Sequence, residues 1–169
     1  MNALLFHPKL IHLPVALGVL MPLIAGGLLL AWWRGWLPPR AWLMAVALQA
    51  ILVGPGVVAL QSGEAEEERI ESFVAEHLIE EHEQRAQAFV GASAAVLVLM
   101  LAAAALGSRR PALPTAAAAV LCTLLVSGLD YWAGQTGASL VYQHGAAQAY
   151  TSTTALGISD STGSDDDDD

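Results

Sequence analysis

Five histidines are the residues of this sequence whose side chains could do redox or metal chemistry. They are His7, His12, His77, His82 and His144. A neutral imidazole is a good ligand for transition metals and for haem iron. Within the pairs His7/His12 and His77/His82 the separation is five residues, and five residues turn a helical side chain by about 140°. Neither pair is therefore predicted to hold a metal ion from one helix, and a site would combine ligands from different helices.

The elements that must position these histidines are membrane-spanning helices. Of the 169 residues, 55% are hydrophobic and 14% are charged, whereas roughly 25% are charged in soluble domains. Four apolar segments reach the length of about 20 residues that a membrane helix needs. They are residues 11–33, 41–60, 86–106 and 113–132. The sequence predicts an all-α fold, a four-span transmembrane helical bundle.

Charged residues predict how this bundle is oriented. The first connection carries Arg34 and Arg40, the third carries Arg109 and Arg110, and neither carries an acidic residue. The middle connection is rich in glutamate. Because basic residues accumulate in cytoplasmic loops, both termini and the middle connection are predicted to lie on the outer side (N-out and C-out). All five histidines then fall at the outer ends of the spans or in outer segments.

The glutamate-rich middle connection has the apolar periodicity of a helix. The residues that share one helical face are Ile70, Phe73, Val74, His77 and Leu78. An amphipathic outer helix is therefore predicted over about 64–84, leading into the third span. Residues 1–150 are predicted to form the membrane domain. Residues 151–169 end in five aspartates and are predicted to be a disordered acidic tail.

The preferred hypothesis for the histidines is a b-type haem, bound without a covalent link. In a four-helix bundle, ligands from facing helices converge in the core. His12 begins the first span and His82 lies about one turn before the third. These two are predicted to be the axial pair of a haem iron near the outer membrane face. Because two axial imidazoles leave no open coordination position, the predicted function is electron transfer, by a protein or by a subunit.

Further residues near the same surface complete the predicted site. His7 and His144 are reserve ligands, or the ligands of a second site. Arg85 is predicted to pair with the haem propionates. Glu81 or Glu83 would accept a hydrogen bond from the second nitrogen of an axial imidazole and so fix its tautomer.

Two other hypotheses stay open. A copper or zinc site would use three or four imidazoles with a carboxylate, with His7, His144 and His77 as alternate ligands. A cofactor-free structural or accessory subunit of a larger membrane complex would use its histidines only for hydrogen bonding. Catalysis is not favoured, because no serine has the context of a nucleophile elbow. Transport is not favoured either, because no ionisable residue lies midway through a predicted span.

Composition limits the expected partners. The net charge of -9 excludes nucleic acid as an expected partner. The predicted partners are membrane lipid, other subunits of a membrane respiratory or photosynthetic complex, and a soluble cytochrome that would dock on the acidic outer surface. The single cysteine, Cys122, allows neither an intrachain disulfide nor a c-type haem attachment.

Three motifs carry a resemblance to a known family: "HPKLIHLP" from His7, "SGEAEE…IEEHE" in the middle connection, and "SLVYQHG" ending at Gly145. In this order they resemble the bacterial domain-of-unknown-function 2231 family of predicted four-span membrane proteins. The resemblance marks His7, His12, His82 and His144 as motif positions and implies a multi-pass protein of the bacterial inner membrane. It implies no particular activity.

Overall fold

The structure, a computed structural model, describes residues 12–70 and 75–142. These form four long helices, which we number α1 (His12–Trp33), α2 (Leu43–Ile70), α3 (Glu76–Leu106) and α4 (Ala112–Tyr142). A short 3-10 helix, Pro39–Trp42, precedes α2.

The predicted all-α bundle of four membrane spans is confirmed. Four segments are long and apolar enough to cross a membrane: His12–Trp33, Pro39–Gln61, Glu76–Leu106 and Ala112–Leu140. The last extends beyond the predicted boundary at 132, because α4 continues unbroken past Tyr131 and Trp132. The 31 residues of α3 measure about 46 Å at 1.5 Å per residue, which exceeds the roughly 30 Å of a hydrocarbon core.

The helices form a ring in which each packs against the next. Contacts join α1 to α2, α2 to α3, α3 to α4 and α4 to α1, so α1 and α3 are diagonal across the bundle. Small side chains occupy much of the core: Ala25, Ala45, Ala103, Ala116 and Ala119 are all fully buried. Small residues at these positions allow the helix backbones to approach closely, which stabilises helix association in lipid. Large apolar side chains such as Leu23 and Leu125 lie exposed on the outside, where lipid would contact them.

Two glycines with positive φ end the helices at one end of the bundle, which we call the arginine end because Arg34, Arg40, Arg109 and Arg110 lie there. Gly35, after α1, has φ 73°, and Gly107, after α3, has φ 56°. Glycine adopts this conformation without the steric cost that a Cβ imposes. The amide of Gly107 donates to the carbonyls of Ala103 and Ala104. These caps let short loops reverse the chain and set neighbouring helices antiparallel.

The opposite end, which we call the histidine end, carries His12, His77 and His82. Here the structure corrects one prediction. A single outer helix was expected over about 64–84, but α2 continues to Ile70 and a new helix begins at Glu76. Ala75 has an extended backbone, with φ -64° and ψ 131°, and extended backbone cannot continue a helix. The part from Glu76 onward does lead into the third span, as predicted.

Several predictions lie outside the described residues. His7, His144, the apolar positions Phe73 and Val74, and the acidic tail 151–169 are among them. Those predictions are untested and stay predictions.

Candidate functional site at the histidine end

The imidazole of His82 is packed between α3 and α4. Its Nδ1 lies 3.2 Å from the hydroxyl oxygen of Thr136 on α4, and the side chain is half-buried. The ring lies against the backbone of Gly137, where an added Cβ would be 3.0 Å from Cε1 of His82. Glycine at 137 therefore provides the space in which the ring is held.

The hydroxyl of Thr136 contacts both His82 and the backbone of its own helix. The hydroxyl of Thr136 lies within bonding distance of two backbone carbonyls, those of Trp132 (3.2 Å) and Ala133 (3.0 Å). A hydroxyl has one hydrogen to donate. If that hydrogen goes to a carbonyl, the oxygen accepts a hydrogen bond from Nδ1–H of His82. Nε2 is then the unprotonated nitrogen of the neutral imidazole, the form that a metal ligand needs.

His12, the other predicted axial ligand, lies at the same height along the bundle but on the diagonal helix. The hydroxyl of Ser127 on α4 donates to the carbonyl of Gly18 on α1 over 2.6 Å, and Asp130 also faces Gly18. These contacts fix the register of α1 against α4. His12 lies six residues before Gly18, about 9 Å away along the helix, which brings it level with the part of α4 that contacts His82. The side chain of His12 is exposed.

Of the remaining predicted ligands, His77 is the one that belongs to the described residues. His77 is exposed near the start of α3. Within residues 12–70 and 75–142, no group of three or more His, Cys, Asp and Glu side chains is placed to hold a metal ion. A copper or zinc site of three or four ligands would therefore require a contribution from side chains outside the described ones, such as His7 or His144.

The charged residues around His82 pair along the exposed side of α3. Arg85 forms an ion pair with Glu81, one turn earlier. Glu83 accepts a hydrogen bond from the side chain of Gln87 over 2.8 Å. Thr136 contacts Nδ1 of His82, and the predicted role of Glu81 or Glu83 as the partner of an axial imidazole stays a prediction. Arg85 remains near the histidine end, where it could exchange Glu81 for another carboxylate.

Asp130 is a buried ionisable residue that the sequence analysis did not single out. Its neighbours Tyr131 and Trp132 are exposed, whereas Asp130 itself is 3% exposed. Its Oδ2 has no hydrogen-bond partner among the described residues. A Cβ added to Gly18 would lie 2.5 Å from this oxygen. Glycine at position 18 therefore makes room for a carboxyl group between α1 and α4.

A signal for this placement was present in the sequence but weak. Thr123, Ser127 and Asp130 recur at helical spacing and share one face of α4. That face packs on α1, where glycine faces the carboxyl. An unpaired carboxylate is costly in an apolar interior, so Asp130 requires a proton or a hydrogen-bond donor at Oδ2. The chemistry available to this carboxyl group is therefore the binding of a proton or of a hydrogen-bond donor at Oδ2.

Gln49 is the second buried polar side chain with an unpartnered atom. Its Nε2 donates to the carbonyl of Ser93 on α3 over 3.0 Å, while its Oε1 has no partner in the part of the chain that the structure describes. The hydroxyl of Ser93 bonds the carbonyl of Phe89 in its own helix. Gln49 thus ties α2 to α3.

The fold defines the class of protein: a multi-pass α-helical membrane protein built as a four-helix bundle. No protein-family model, curated protein or solved structure significantly matches the chain. The resemblance to the domain-of-unknown-function 2231 family therefore stays a prediction.

Proposed function

We propose that this protein binds a b-type haem at the histidine end and transfers electrons, alone or as a subunit of a membrane complex, with His82 as one axial ligand. The observation that supports this most is the contact of Nδ1 of His82 with Thr136. A ligating histidine is usually oriented by a hydrogen bond from its other nitrogen. Thr136 is in position to supply that bond.

His12 is the preferred second ligand. It lies at the height of His82 on the diagonal helix, and diagonal helices in a bundle with neighbours about 8–10 Å apart leave their core-facing side chains opposite one another. The exposed imidazole of His12 would have to turn toward the bundle axis. His7 and His144 are the reserve ligands, since both belong to segments adjoining this end.

The haem would supply one-electron redox chemistry, and the chain's own residues would hold and orient it. Two imidazoles fill both axial positions and so favour electron transfer over reaction with a substrate. Arg85 would pair with a propionate in place of Glu81. Thr136 would keep the ring of His82 in one orientation.

The basic loops support an orientation with the arginine end in the cytoplasm. The histidine end would then face the periplasm or the cell exterior, and the resemblance to a bacterial family makes the bacterial inner membrane the expected location. An electron carrier there would exchange electrons with other subunits of a respiratory or photosynthetic complex, or with a soluble cytochrome. The glutamates of α3 would attract a basic partner.

A second candidate function is supported by how closely α4 approaches its neighbours. The ring of His82 lies against Gly137, and the carboxyl of Asp130 lies against Gly18. Such close packing favours a cofactor-free accessory subunit, in which the bond between His82 and Thr136 is a structural tie between helices.

Haem content separates the two candidates. The full chain is purified in mild detergent from cells supplied with a haem precursor, and haem per chain is measured after extraction for the wild type, His82→Ala and His77→Ala. His77 is the matched control, because it is an exposed histidine on the same helix. We expect stoichiometric haem in the wild type and in His77→Ala, and loss in His82→Ala. Equal haem in all three, or none in the wild type, would overturn the proposal.

A further inference from the structure

An open apolar groove runs along the outside of the bundle between α1 and α4, next to the arginine end. Its volume is about 380 Å³. The residues that line it are Gly26, Leu29, Leu30, Trp33, Leu113, Pro114 and Ala117. The residues that line the groove belong to two membrane-spanning segments. The acyl chain of a lipid would therefore be the group that enters it. The groove is deeper at Gly26 and Ala117 because these residues carry little or no side chain.

Basic residues adjoin, in sequence, the lining segments of both helices. Arg34 follows Trp33 directly, and Arg109 and Arg110 precede Leu113 by four and three residues. None of these three arginines has an ion-pair partner among the described residues. The two loops to which they belong contain no acidic residue. The groove therefore opens onto positive charge that the described chain does not neutralise.

Arg34 is held at this position by stacking. Its guanidinium carbon lies 5.4 Å from the ring centre of Trp33 and 5.9 Å from that of Trp36. These distances are within the range of a cation–π interaction. Both tryptophans are exposed, at 64% and 70%, as is typical of side chains at the level of lipid headgroups. The stacking keeps the guanidinium at headgroup level, beside the groove.

We propose that this groove binds one anionic phospholipid, with an acyl chain along the α1–α4 seam and the phosphate between Arg34 and the Arg109–Arg110 pair. Basic pockets between membrane helices recognise anionic headgroups by charge-assisted hydrogen bonds. The apolar lining and the unneutralised arginines match the two halves of such a lipid. This site is separate from the histidine end and does not rest on the proposed haem.

A second copy of the chain fits the same groove poorly. Copies of a membrane protein share one orientation, so a symmetric pair joined along this groove would bring its arginine ends together. Arg34, Arg109 and Arg110 of one copy would then face those of the other, and such like-charge contacts are unfavourable. An anionic lipid relieves this charge, whereas a second copy adds to it.

Native mass spectrometry of the full chain in detergent tests the proposal. The protein is titrated with phosphatidylglycerol and with phosphatidylcholine of the same acyl chains, and bound lipids are counted. We expect one phosphatidylglycerol to bind about tenfold more tightly than phosphatidylcholine. Each of Arg34→Gln and Arg109→Gln should weaken phosphatidylglycerol about fivefold, the factor that one basic residue contributes at an anionic surface. Ala117→Leu, which fills the groove, should weaken both lipids.

Two matched variants serve as controls. Arg40→Gln removes a charge from the same end, but Arg40 belongs to the 3-10 helix that packs on α1, α2 and α3. Ala118→Leu adds the same bulk at an exposed neighbour of Ala117. Both should bind lipid as the wild type does. Equal affinity for the two lipids in the wild type, or an equal effect of Arg40→Gln and Arg34→Gln, would overturn the site. So would a dimer that Ala117→Leu dissociates while lipid affinity stays unchanged.

Discussion

The arginine end and the histidine end of the bundle differ in where their polar side chains lie and in how these are bonded. At the arginine end, the fully buried ring of Trp42 donates its single N–H to the carbonyl of Met100 over 3.0 Å. The guanidinium of Arg34 is exposed and stacks on tryptophan rings. Each of these polar groups is either bonded or at the surface.

At the histidine end, polar groups enter the interior between helices. The carboxyl of Asp130 is buried against Gly18, and the imidazole of His82 is inserted between α3 and α4 against Gly137. Burying an ionisable group costs stability unless it is paired. Intramembrane ionisable residues are therefore usually retained for function. We therefore expect the arginine end to anchor the bundle and the histidine end to carry the function.

The largest effect is expected from Gly18→Ala. The new methyl group would meet Oδ2 of Asp130 at 2.5 Å, so α1 and α4 must separate, and overpacking of this kind costs about 1–3 kcal/mol. Gly27→Ala is the control on the same helix, where an added Cβ meets nothing within 4 Å. Denaturant unfolding in detergent, followed by circular dichroism, measures both. If Gly18→Ala were as well tolerated as Gly27→Ala, the close approach at the histidine end would not exist.

Thr136→Val removes one hydroxyl at the histidine end while preserving the shape of the side chain. His82 would lose the hydroxyl that contacts its Nδ1, and loss of such a partner lowers ligand affinity about 10–100-fold. The measurement is haem affinity by titration. Thr115→Val is the matched variant at the arginine end, where the hydroxyl bonds only the carbonyl of Pro111 in its own turn. A similar loss in both variants would show that the bond to His82 has no special role.

Trp42→Phe tests the arginine end itself. The substitution removes the N–H that bonds Met100 O, and a hydrogen bond of this type contributes about 1 kcal/mol. The free energy of unfolding should fall by about that amount. Trp36→Phe changes an exposed ring and should leave the free energy of unfolding unchanged. An effect of Trp36→Phe equal to that of Trp42→Phe would contradict the anchoring role of the buried ring.

Asp130→Asn is expected to have the smallest effect on stability, and in the opposite direction. The amide keeps the shape of the carboxyl and removes the cost of holding an ionisable group in an apolar interior. The free energy of unfolding should stay the same or rise, by up to about 1 kcal/mol. A clear loss of stability would indicate that Asp130 pairs with a hydrogen-bond donor from outside the described residues.

Much of the fold was predictable because membrane spans leave a strong signal in sequence. Four long apolar segments, separated by arginine-bearing turns with Gly35 and Gly107, suffice to predict four antiparallel helices. The break before Glu76 was not predictable, since neither glycine nor proline lies near it.

The candidate site was predictable only in part. The sequence predicted that the histidines lie at one end of the bundle. It did not predict that His82 contacts Thr136. Thr136 meets His82, and Asp130 meets Gly18, only because α4 has one particular rotation and one register against its neighbours. These are set by packing of small residues along the whole interface, which hydropathy does not report. A run of apolar residues with nearly uniform hydropathy gives little indication of which face points inward.

The measurement that tests the proposed function most directly is a redox titration of the full chain in detergent, followed by optical difference spectra. Electron transfer through two axial imidazoles predicts a sharp b-type α-band on reduction that disappears reversibly on oxidation. His82→Ala should abolish this band, and His77→Ala should leave it intact. A folded wild-type protein, produced with ample haem, that gives a featureless spectrum would contradict electron transfer at the histidine end.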